Sequence, residues 1–196
     1  MARRARPPAA GAALLARSNR NFMQRLFVER ALFVVGGRNS GKSTQLRSMF
    51  SDLRFGTGGE IPTSRKAREI LPLSTDRALY LRLTSPHERG ESLKEFFAKV
   101  VKKSSSGRWC FAAPLQPDAA GRMPGVVETV KAFRRRFAPD RVRVCLLSPD
   151  RHGNRDERQD RIGSALLSLD GVEFLCIDAR FRLENGSVLA DFFDFS

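Results

Sequence analysis

Histidine is scarce in this chain. His87 and His152 are the only two in 196 residues, which leaves too few for a histidine-based zinc site. Cysteine is nearly as rare. Cys110, Cys145 and Cys176 each sit inside an apolar, strand-like run, and none has C-x-x-C spacing. That excludes a disulfide framework or a metal knuckle and fits small core residues of a reduced, cytoplasmic protein. No apolar run approaches the roughly 18–20 residues that a membrane span requires. One Trp and one Tyr, with no recognisable nucleic-acid module, argue against sequence-specific reading of bases. Acidic residues are missing from residues 1–20, which are rich in Ala, Arg and Pro and contain no secretory h-region. That stretch reads as a basic flexible arm, with an organelle-type transit peptide as the alternative.

What is present is positive charge. The net charge is +14, and it is unevenly spread. Residues 1–30 carry seven arginines against Glu29, and residues 131–161 carry ten Lys/Arg against five acids. The last 35 residues reverse the sign, with two arginines against six acids. Such a surface suits an anionic partner, a nucleic acid or anionic surface held weakly and electrostatically, as well as plain solvation.

The pattern G-x-x-x-x-G-K-[ST] runs from Gly36 through Gly41 and Lys42 to Ser43. Its context decides its worth. Ala31–Val35 before it is a short apolar run ending in glycine, expected to be a buried parallel strand. After it, Leu46, Met49 and Phe50 share one helical face. Gly36 and Gly41 let the backbone curl into a nest of N–H groups around a phosphate. Lys42 can reach the β- and γ-phosphates, and the Ser43 hydroxyl can ligate Mg²⁺. The expected nucleotide contacts are therefore Gly36, Gly37, Arg38, Asn39, Ser40, Gly41, Lys42, Ser43 and Thr44.

The rest of residues 21–196 reads as one α/β domain. Short strands are expected near Glu69–Leu73, Ala78–Thr84, Trp109–Ala113, Val142–Leu147 and Val172–Ile177. Helices are expected at Leu93, Phe96, Phe97, Val100 and Val101, at Val126, Val130, Phe133 and Phe137, and at Ile162, Ala165, Leu166 and Leu169. Asn21–Arg30 is expected to pack onto the domain ahead of the first strand. Glu184-Asn185-Gly186-Ser187, between Phe181-Arg182-Leu183 and Val188-Leu189, is a hairpin signal followed by an acidic, Phe-rich tail. Alternating strands and helices imply a three-layer α/β fold with a mostly parallel sheet and helices on both faces.

The string Gly36–Ser43 (GGRNSGKS) and the order strand, helix, two adjacent strands, then alternation resemble a P-loop NTPase of the Ras-like, TRAFAC-class GTPases, with a phosphate loop of the Era, EngB and FeoB type. The resemblance covers about residues 31–180. It implies a GTP-dependent switch with Mg²⁺ and a protein partner. It also implies a place for Asn39 beside a monovalent cation, for Thr63 (with Thr57 as rival) over Mg²⁺, and for Glu88 where Asp-x-x-Gly belongs. Asp150 falls where guanine is read and Ala179 in the Ser-Ala-Lys position. The Asp of the switch motif and the Asn and Lys of the guanine motif are missing, so hydrolysis is expected to be slow or partner-dependent, with Thr63 and Glu88 the catalytic candidates.

Two alternatives stay open. One is an ATP-using ATPase or small kinase, with Phe174–Asp178 as a late Walker B strand and Arg151, Arg155, Arg158 and Arg161 as a lid or, with Asp156, Glu157 and Asp160 between them, a salt-bridged surface. The other is a non-catalytic pseudo-GTPase that binds a partner through its basic face.

Overall fold

Residues 27–63, 68–104 and 107–195 are described by a computed structural model, so the basic arm, 1–20, lies outside the described residues. Six strands form one sheet: β1 (Phe27–Val35), β2 (Ile70–Pro72), β3 (Arg77–Leu81), β4 (Arg108–Leu115), β5 (Arg141–Leu147) and β6 (Val172–Ile177). The spatial order is β2-β3-β4-β1-β5-β6. Every neighbouring pair is parallel except β2 with β3. Among the described residues there are five α-helices: α1 (Lys42–Ser48), α2 (Leu93–Lys103), α3 (Val126–Phe137), α4 (Gln159–Leu167) and α5 (Arg182–Phe193).

The central position of β1 follows from its side chains. Val28, Ala31, Phe33 and Val35 pack into one core with α2, α3 and α4 residues, while Leu32 and Val34 pack into another with α1 and α5. A strand buried on both faces has no room for polar alternation, hence its continuous apolar run. One core is an aromatic cluster in which Phe33, Phe111 and Phe133 meet at ring-centroid distances of 5.2–5.9 Å. Helix α2 opens with a capping box, the Ser92 hydroxyl accepting from the Glu95 N–H while the Glu95 carboxylate accepts from the Ser92 N–H. Among the described residues no helix is long and apolar enough to cross a membrane.

The chain departs from its sequence pattern at several places. The expected hairpin around Glu184–Ser187 is instead the middle of α5. Asn-Gly suggests a turn, but Gly186 serves close packing: a Cβ there would lie 2.3 Å from the Ser48 carbonyl oxygen. Gly186, Leu189, Ala190 and Phe193 recur at helical spacing and are all buried. The tail is likewise part of the core, with the Phe195 ring 4.2 Å from that of Phe55. Second, Phe27–Arg30 does not precede the first strand but begins it. Third, Cys176 is exposed, unlike the buried Cys110 and Cys145, because β6 is an edge strand. Val101 also turns out to be 42% exposed at the margin of α2.

Candidate functional site

The turn between β1 and α1 is built by its backbone angles. Asn39 (φ 61°) and Gly41 (φ 101°) both adopt left-handed conformations, which short polar side chains and glycine tolerate best. Gly36 is fixed by space rather than by φ: a Cβ there would stand 2.4 Å from the Ser40 hydroxyl. The turn is pinned at its ends by the Gly36 N–H to the Leu115 carbonyl (3.3 Å) and by the Thr44 and Gln45 N–H groups to the Gly41 carbonyl (2.9 Å each). No side chain caps the first turn of α1. Gly37, Arg38 and Asn39 are exposed at the mouth, Ser43 and Thr44 are half-buried, and Ser40 is buried.

Lys42 is the chemical centre of this turn. Its ammonium donates to the Gly37 carbonyl at 2.6 Å and lies 3.4 Å from a Glu88 carboxylate oxygen. It is 4% exposed. Burial lowers its pKa below the usual lysine value, and the Glu88 charge acts in the opposite direction. The Ser40 hydroxyl is buried without a hydrogen-bond partner, an orphan that a native fold rarely tolerates without use.

Glu88 arrives from the loop after β3. Strand β4 stands between β3 and β1, so the end of β3 is about two strand spacings, roughly 10 Å, from the phosphate loop. The loop spans that gap and is held firmly. Arg82 makes a two-pronged pair with Glu91 (2.8 and 2.7 Å) and donates to the Thr84 carbonyl (2.7 Å). His87 is wedged beneath it: its Nδ1 accepts from the Gln116 N–H (3.4 Å) and its Nε2–H donates to the Pro124 carbonyl (2.9 Å). Both nitrogens are thus satisfied by the neutral ring, and burial lowers the His87 pKa.

The loops after β5 and β6 also converge here. The Arg151 N–H donates to the Ser40 carbonyl (3.2 Å), and the Ala179 N–H to the Pro149 carbonyl (2.9 Å). Gln45 in α1 donates to the Ala179 carbonyl at 2.7 Å. So Asp150 and Ala179 stand beside the phosphate loop, at the ends of adjacent strands. Their polar groups are already engaged. One Asp150 oxygen accepts from the His152 and Asn154 N–H groups (2.8 and 3.0 Å), the other from the Asn154 amide (3.3 Å). The Asp178 carboxylate is occupied by Arg180 through its backbone N–H and guanidinium.

Thr63 is exposed and lies just past Pro62, whose carbonyl accepts from Arg47 (3.0 Å) while Arg47 also reaches the Ser43 carbonyl (3.3 Å). Among the described residues no hydrogen bond joins Thr63 to Ser43. The rival Thr57 donates its hydroxyl to the Phe50 carbonyl instead (2.8 Å). Arg158 pairs with Asp156 and Asp118, yet with Arg155 it lines a cavity that also includes Gly37 and Asp150, while α4 begins only at Gln159. Sequence reading missed Gln45, Arg47, His87 and the Arg82–Glu91 pair. A Gln or Arg four residues inside a motif helix carries no periodic signal, and residues 82 and 91 meet only through the loop's path.

No family model matches the chain, and no curated protein or solved structure matches it.

Proposed function

We propose that the chain binds a Mg²⁺–nucleoside triphosphate through residues 36–44. The observation that carries this is the buried Lys42 ammonium at the mouth of a glycine-shaped turn, facing the carboxylate of Glu88. The orphaned Ser40 hydroxyl and the bare Gly36, where no side chain fits, make the turn suitable for phosphate oxygens. Among the described residues no three of His, Cys, Asp and Glu gather as a metal site, so Mg²⁺ would be held by Ser43 and the phosphates themselves. When bound, it neutralises charge on the β- and γ-phosphates.

The chain's own groups divide the work. Lys42 leaves the Gly37 carbonyl and Glu88 to meet phosphate oxygens. Glu88, freed from the ammonium, is the carboxylate placed to orient an attacking water and accept its proton. Its reach across β4 keeps it off the metal, so hydrolysis is slow unless a partner supplies further groups. Thr63 is the weaker candidate on the opposite side.

Base identity is the point where the two readings differ. GTP recognition by Asp150 requires both of its oxygens to face guanine N–H groups. Those oxygens already accept three hydrogen bonds within the 150–154 turn, and β4 separates the β2–β3 pair from the phosphate-loop strand. We therefore favour the ATP-using reading over the GTPase-like switch. Equilibrium titration with non-hydrolysable ATP and GTP analogues in Mg²⁺ decides it: tighter ATP binding, unaffected by Asp150→Ala, is expected. GTP preference lost in Asp150→Ala would restore the GTPase-like reading.

A further inference from the structure

A second concave site shares no residue with the phosphate loop. It is a cleft of about 710 Å³ between the β2–β3 edge and α2, within the usual size range of small-molecule sites. Six cations line it: Arg68, Arg82, Arg89, Lys99, Lys102 and Lys103. Two carboxylates, Glu69 and Glu91, stand among them.

The pairing inside the cleft is incomplete. Glu91 is taken by Arg82 and by Lys99 (2.6 Å), and Glu69 by Lys103 (2.7 Å). Among the described residues no carboxylate pairs with Arg68, Arg89 or Lys102. Lysines at the end of α2 do suit the helix dipole, but Arg68 and Arg89 lie outside that helix. A second observation is independent of charge. Tyr80 is 4% exposed and lines the cleft, yet among the described residues its hydroxyl has no hydrogen-bond partner. Its oxygen is not among the buried side-chain atoms that lack a partner, so the hydroxyl opens to the solvent of the cleft and is free to donate to a ligand there.

We propose that this cleft binds a small molecule carrying two phosphate groups. The charge balance selects the class, since six cations against two carboxylates leave an excess of four, and two phosphate monoesters carry about −3 to −4 at neutral pH. Arg89 and Lys102 receive the phosphate oxygens, and the Tyr80 hydroxyl donates to one of them. Arg82, locked by Glu91, supplies field and shape rather than contacts. Its volume of about 710 Å³ suits a small molecule, whereas a nucleic-acid strand needs a continuous groove along the surface. The proposal does not rest on nucleotide binding at residues 36–44.

The test uses Lys42→Ala, which silences the phosphate loop, so that failure of one site is distinguishable from failure of the other. Fructose 1,6-bisphosphate is the probe, titrated calorimetrically at fixed ionic strength, with ribose 5-phosphate and a single-stranded RNA oligomer in parallel arms. The bisphosphate should bind the Lys42→Ala chain more tightly than the monophosphate. Adding Arg89→Ser and Lys102→Ala, both at exposed positions, should weaken it at least about tenfold. Tyr80→Phe should weaken it severalfold with the melting temperature unchanged. The proposal is overturned if no bisphosphate binding occurs at millimolar concentration, if the double substitution leaves affinity unchanged, or if RNA binds the same cations more tightly than the bisphosphate.

Discussion

The two ends of the parallel sheet treat charge in opposite ways. At the amino end, where β1, β3, β4 and β5 begin, charges close on one another. The carboxylate of Glu29 is buried and lies 3.0 Å from both Arg77 and Arg108. Arg143, also buried, meets Glu173 of β6 at 3.0 Å and the Phe193 carbonyl at 2.8 Å. At the carboxyl end, polar groups stay available: the Ser40 hydroxyl, the Lys42 ammonium resting on a backbone carbonyl, and Arg89. The amino end is organised for stability and the carboxyl end for binding, which is where open α/β sheets place ligands.

The sharpest way to break this comparison is to substitute one residue from each end. Glu29→Ala leaves Arg77 and Arg108 without their buried partner and should cost about 3–5 kcal/mol, read from urea unfolding. Lys42→Ala removes a desolvated cation whose partner, Glu88, can return to water, and should change stability by about 1 kcal/mol or less. Equal losses from the two substitutions would abolish the distinction.

The packing of α5 gives a smaller effect. Gly186→Ala forces a methyl against the Ser48 carbonyl and should destabilise by about 1–3 kcal/mol through overpacking. If unfolding midpoints are unchanged, α5 does not cross α1 so closely.

A pH effect sharpens the carboxyl end. The His87 pKa is depressed in the folded chain, so the unfolded chain binds the proton more readily. Stability should therefore hold above the unfolded value near 6.5 and decline as pH falls below it. Melting curves of the intact chain and His87→Gln across pH 5–8 would show that decline only in the former. An identical slope in both would place the pH dependence elsewhere.

The smallest stability effect belongs to the outer basic face. Arg134 pairs with the exposed Asp170 (3.3 Å), while Arg135 and Arg136 are exposed on α3. Replacing all three by Ser should change stability by no more than about 1 kcal/mol. Binding to an anionic partner, if carried by this face, should fall and depend steeply on salt between about 50 and 200 mM. Salt-independent binding would contradict the electrostatic account.

How much of this was legible depended on whether a residue's role was local. The strand–turn–helix at Ala31–Phe50 was readable because glycine spacing and apolar runs state it within twenty residues. The interior stripes of α3 and α4 were readable by period. Asn185-Gly186 was misread because Gly answers both to a turn and to a close helix crossing, and only the distant Ser48 decides between them. The interposition of β4 was not readable, since element order does not fix which strand sits beside which. Asp150 and Ala179 stand beside the loop, yet the use of their polar groups depends on Asn154, Pro149 and Gln45, which no motif names.

The central claim is that Lys42 holds nucleotide phosphate. Isothermal titration of Mg²⁺–ATP analogue into the intact chain and into Lys42→Ala tests it directly. A loss of at least about 100-fold in affinity, with the unfolding midpoint little changed, is the predicted result. Equal affinity in the two chains would contradict it, and with it the assignment of residues 36–44 as the nucleotide site.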